Sequence, residues 1–175
     1  LLAHGAFAEA PVFRVSARTG DGIAALHAHL AAAAAHTATP VDGRFRLAID
    51  RCFSLSGIGT VVTGTVFSGT VHVGDTLAVS PAGFTARVRS LHAQDRASET
   101  GQVGQRLALN LVGDFGKDDM ARGMWVLAPQ LHSPVQRLHA RIRLLPGEAP
   151  LAHWTQAHLH LGTEDVVARI ALLEG

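Results

Sequence analysis

The chain has 175 residues, 47% of them hydrophobic and 17% charged, and a formal net charge of +1. Such a composition is too apolar for a disordered tail and sufficient for one ordinary core or two small ones. No stretch approaches the ~20 uninterrupted apolar residues of a membrane helix, the single cysteine, Cys52, excludes an internal disulfide or a multi-cysteine zinc site, and so small a charge cannot establish nucleic-acid binding.

Positions 12–17, VFRVSA, predict a short strand, TGDG a turn, and 21–35 a helix with Asp21 as its cap and Ile23, Leu26 and Leu30 on one face. One βα unit cannot bury its own apolar stripe, so 1–36 are expected to be the end of a larger α/β domain. HTATPVDG has the polar, Pro and Gly content of a linker, placed at 37–43.

Beyond it the pattern is β throughout. Runs at 45–53, 60–67, 71–79, 84–92, 105–112 and 124–128 are separated by Gly-rich or polar segments, the longest being DRASETGQVG and DFGKDDMARG. Short, closely spaced strands of this kind predict a small barrel or sandwich over 44–130. A second β pattern at 131–175 contains RLHARIRLL, HWTQAHLHLG and VVARIALL; it is too short to close a barrel and is expected to be the beginning of one. The chain therefore reads as an internal piece of a longer protein. With one free thiol and no basic-apolar leader at its start, a cytoplasmic location is expected.

Four features lead nowhere. GIGTVVTG at 57–64 has the wrong glycine spacing for a dinucleotide fingerprint and is followed by strand rather than helix. Gly116-Lys117 lacks the Ser or Thr and the first glycine of a phosphate-binding loop. His158 and His160 share a strand face near His153 without a carboxylate or cysteine at ligand spacing, so ordinary polar strand positions are favoured over a metal site. Cys52 beside Arg51 has no assignable His and acid partners and reads as a packing residue rather than a nucleophile.

The charged pair in FRLAIDRCF demands more. Strand parity puts Phe45, Leu47, Ile49, Arg51 and Phe53 on one side and Arg46, Ala48, Asp50 and Cys52 on the other. Arg51 then faces the apolar side, unless a bulge re-aims it. Either an internal ion pair or a snorkelling side chain would reconcile it with a barrel.

At FRLAIDRCFSLSGIGTVVTGTVFSGTVHVGDTL, 45–77, and again at RGMWVL, 122–127, the chain resembles the second domain of translational GTPases, the β-barrel that follows the GTP-binding domain in elongation factor Tu and its relatives. IDR at 49–51, RVRSLHAQD at 87–95 and GQRLALNLVGD at 104–114 are more similar to the selenocysteine-specific branch. LHARIRLL, HWTQAHLHLG and VVARIALLE resemble the start of that branch's third domain, and VSARTGDGI at 15–23 resembles the last guanine-recognition motif of the GTP-binding domain.

The resemblance implies a mainly β fold: a domain 2 barrel preceded by a βα remnant and followed by an incomplete second barrel. It implies that Asp50, Arg51 and Arg106 line the pocket for the esterified amino acid, and that the backbone at Ser16 and Ala17 approaches a guanine base. It implies selenocysteinyl-tRNA and the ribosome as partners, with a messenger RNA hairpin gripped by domains outside this sequence, and GTP with Mg2+ as cofactor of the parent protein. The chain carries no phosphate-binding loop, switch segments or NKxD-type motif, so by itself it is not expected to bind or hydrolyse GTP. Two alternatives stay open: the barrel of another elongation factor Tu-like GTPase, and a free-standing RNA-binding or assembly module.

Overall fold

Apolar side chains at alternate positions close the middle of the chain into a ring. In the computed structural model, which describes residues 10–36 and 42–173, the strands there are β1 (Arg46–Leu55), β2 (Gly59–Ser68), β3 (Thr70–His72), β4 (Thr76–Ser80), β5 (Phe84–Ala93), β6 (Arg96–Ser98), β7 (Thr100–Gln102), β8 (Arg106–Val112) and β9 (Trp125–Leu127). The order β4-β9-β1-β2-β8-β5, with β5 pairing back onto β4, makes a six-stranded closed antiparallel barrel. Closure removes the unpaired edges that an open sheet would expose.

Inside lie Leu47, Ile49, Val62, Val79, Val88, Leu109 and Val126, all fully buried. Gly64 on β2 is there because a Cβ would run into the Ala48 carbonyl and approach Leu47 Cδ2 to 2.7 Å; any larger residue would push β1 and β2 apart. The expected run 71–79 breaks in two at a turn in which the His72 N–H donates to Asp75 Oδ2 at 2.8 Å and Gly74 takes φ +95°. The polar segment DRASETGQVG after β5, expected only to separate two strands, itself contains the short strands β6 and β7.

The described residues fall into two units, 42–138 with 153–173, and 10–36 with 139–152. In the first, β10 (Thr155–Leu161) and β11 (Glu164–Ile170) form an antiparallel hairpin that accompanies the barrel. RLHARIRLL, expected as a strand, has no regular structure; among the described residues no strand pairs with it, and Leu138 and Ile142 stay exposed. In the second unit, α1 spans Ile23–His36. VFRVSA is likewise not a strand, since among the described residues its backbone has no ladder to join. Asp21 does not cap α1. Its carboxylate accepts the Thr19 hydroxyl at 2.6 Å, while the carbonyl of Gly22, at φ +71°, accepts the first helical bond from Leu26 N–H. Of the expected linker 37–43, residues 37–41 lie outside the described residues.

Candidate functional site

The Asp50–Arg51 pair sits at a break in register. Ile49 pairs with Gly64 and Arg51 with Thr63, leaving Asp50 as the extra residue of a β-bulge between them. The bulge resets the side-chain alternation. Cys52 therefore packs on the core opposite Val62, and Arg51 turns to the outer wall with Thr63, where it is exposed. Simple parity, which put Arg51 on the side of Ile49, does not survive the extra residue.

Asp50 is the hub. Arg106, across the sheet on β8, donates from Nη2 to both carboxylate oxygens at 2.8 and 2.9 Å and from Nε to Oδ2 at 3.2 Å. The Thr63 hydroxyl donates to Asp50 Oδ1 at 2.6 Å and accepts from Arg106 Nη2 at 3.2 Å. Forked geometry of this kind is the stronger form of a charge-assisted bond. The Asp50 side chain is 24% exposed and that of Arg106 53%, so the pair is half in water and its electrostatic contribution is correspondingly screened.

Cross-strand partners share a face, and the ladders β1–β2, β2–β8 and β8–β5 align Arg51, Thr63, Ala108 and His92 in one row, with Thr65 and Arg106 paired beside it. Both sequence-expected arginines thus stand on the outer wall. Asp50 orients Arg106, not Arg51, and the Arg51 side chain makes no hydrogen bond or ion pair among the described residues. The three charges sum to +1, and the free one belongs to Arg51. Thr63, half of the network, was not singled out in the sequence. Asp50, Arg51 and Arg106 line neither of two cavities, of about 290 and 340 Å³, that open beside Val73 and Arg89.

Ser16 and Ala17 lie in the other unit. The Ser16 carbonyl accepts the Gly20 N–H at 2.9 Å and its hydroxyl accepts the Thr19 N–H at 3.2 Å, closing a tight loop ahead of α1. Among the described residues, no group of three or more His, Cys, Asp or Glu side chains could hold a metal ion. His158 instead bonds Asp165 Oδ1 through Nδ1 at 2.8 Å across the hairpin, with His160 at 3.8 Å.

Residues 59–127 match the family model of elongation factor Tu domain 2. Over 99% of its length the chain is 40% identical to the selenocysteine-specific elongation factor of Escherichia coli (strain K12). Along nearly its whole length the chain is thus similar to a segment of the selenocysteine-specific elongation factors. A solved bacterial selenocysteine-specific elongation factor superposes on 90% of the chain with TM-score 0.76 and 28% identity. The factor SelB from Methanococcus maripaludis, solved with the GTP analogue GppNHp, covers 89% with TM-score 0.73 and 25% identity. The chain spans only 28% of the Escherichia coli protein and 26% and 35% of the two solved chains.

Proposed function

We propose that this chain supplies one wall of the pocket in which a selenocysteine-specific elongation factor reads the amino acid esterified to its tRNA, for GTP-dependent delivery to the ribosome in the cytoplasm. The observation that carries the reading is the unpaired guanidinium of Arg51 beside a second guanidinium, Arg106, that Asp50 and Thr63 hold in place.

A selenol is more acidic than a thiol, whose ordinary pKa is near 8.5, so selenocysteine presents an anion at neutral pH where serine presents a neutral hydroxyl. Two unit charges ~4 Å apart at an effective dielectric near 20 attract by about 4 kcal/mol before desolvation. Here Asp50 already answers Arg106, so Arg51 carries the net attraction. A neutral side chain would leave that guanidinium unpaired once the wall is covered, and rejection of the wrong substrate through an unpaired charge is an effective means of discrimination.

GTP with Mg2+ is assigned to the complete factor. The loop at Ser16 and Ala17 fits the guanine end: the Ala17 N–H has no acceptor among the described residues and is available to a base carbonyl, whereas no residue described here is assigned to the phosphates or the metal. A messenger RNA hairpin is assigned to segments outside this sequence.

The test is equilibrium binding of selenocysteinyl-tRNA and seryl-tRNA to the complete factor carrying Arg51→Ala or Arg106→Ala. Arg51→Ala is expected to reduce the preference about ten-fold or more, corresponding to roughly 1.4 kcal/mol. Undiminished preference in both variants overturns the reading.

A further inference from the structure

The bulge that aims Asp50 and Arg51 is held from outside the barrel. Ile49, the residue before it, is fully buried, and its carbonyl accepts two hydrogen bonds. One comes from Gly123 N–H at 3.1 Å, in the loop entering β9. The other comes from the hydroxyl of Thr163 at 2.6 Å, at the tip of the β10–β11 hairpin and 114 positions away in sequence. The hairpin tip sits flush on the wall beside it: Gly162 takes φ +64°, and a Cβ there would come within 2.8 Å of Trp125 Cζ2 and 3.2 Å of Ala48 Cβ. Glu164 lies against Gly123, completing the grip on both donors' surroundings.

We propose that Thr163 is a positioning residue for the Asp50–Arg106 pair, so that docking of the hairpin tip sets the geometry of the amino-acid-reading wall. This inference rests on the reading of that wall given above. The peptide joining Ile49 to Asp50 is a rigid plane, so a donor fixing the Ile49 oxygen also fixes the direction in which the Asp50 backbone leaves it. Toward β2 the extra residue has no ladder partner to do this, and on the other side the Gly123 N–H shares the task with the Thr163 hydroxyl. Asp50 in turn fixes Arg106 through three hydrogen bonds. Groups held by a supporting layer of bonds keep a site's geometry far better than groups left to solvent. The hydroxyl thus acts on Arg106 through one carbonyl and one carboxylate.

The experiment follows the arginine Nε–H of Arg106 by NMR in the 175-residue chain, measuring its exchange with solvent. The side-chain amide of Asn110, bonded to the Ile58 carbonyl at 3.2 Å on the same wall, reports general loosening. Thr163→Val, which keeps the shape and removes the hydroxyl, is expected to speed Arg106 exchange about five-fold or more while leaving Asn110 unchanged. Thr163→Ser is expected to behave as the parent chain. Thr163→Ala runs alongside, so that loss of fold in one variant leaves the other to decide. Unchanged Arg106 exchange, or equal acceleration at Arg106 and Asn110, overturns the proposal. A parallel measurement in the complete factor separates the two readings. If Thr163→Val frees Arg106 without altering the preference for selenocysteinyl-tRNA, the positioning role stands and Arg106 drops out of the amino-acid reading, which the Arg51→Ala variant then decides. If the preference falls while Arg106 exchange is unchanged, the positioning role fails.

Discussion

The barrel and the β10–β11 hairpin are built from strands of similar composition, yet they keep their apolar residues in opposite places. Along β8, Leu107, Leu109 and Leu111 are all at most 1% exposed, whereas Leu161 and Val167 on the hairpin are 61% and 58% exposed. A ring of six strands encloses an interior, and a two-stranded ribbon has none. The hairpin is therefore held through its tip, by one hydroxyl, one glycine and one carboxylate, rather than through a core.

The sharpest way to break this contrast is truncation at matched positions. Leu109→Ala is expected to cost about 2–5 kcal/mol, and Leu161→Ala less than about 0.5 kcal/mol, in denaturant unfolding of the chain followed by circular dichroism. Similar losses at both sites would show that the hairpin has a covered face after all. Next in size, Thr63→Val removes a donor and an acceptor from a part-buried network while keeping the volume, with an expected cost of about 1 kcal/mol. Asp50→Asn should cost about 0.5–1 kcal/mol because the pair is half solvated, and high salt should shrink that difference.

The smallest effect concerns pH. Hydrogen bonding from His158, assisted by the charges of His158 and His160, holds the Asp165 carboxyl below the usual carboxylate range. A carboxylate whose folded value is depressed stabilises the fold above its unfolded value, and that contribution disappears as pH falls through the folded one. Hairpin amide signals should therefore shift toward unpaired values in the acid range below ordinary carboxylate titration, before the barrel responds. Asp165→Asn should abolish that acid step; its persistence would assign the step to another group.

Much of the barrel was legible because its core strands follow a period of two, as in RLALNLV, and because turns such as VHVGD carry their own residues. RLHARIRLL has the same alternation and is not a strand, since pairing depends on a neighbour that a local pattern does not reveal. The bulge at Asp50 was open for a related reason: parity within β1 cannot register an extra residue, which only the pairing with β2 defines. The partnership of Asp50 with Arg106 spans β2 and could not be counted from either segment alone. Thr63 was more accessible. Counting back from the turn after Leu55 places Thr63 opposite Arg51, and a threonine facing an acidic-basic pair is a signal that composition alone conceals.

Arg51 keeps its whole charge available to the surrounding solution, and this ties selectivity to the ionic medium. At about 0.15 M salt, charge on an open protein surface is felt over only ~8 Å. On the amino-acid reading, an uncovered wall would lose its bias as electrolyte is added, whereas one roofed by a neighbouring domain would hold it, so salt titration reports how completely the substrate is enclosed.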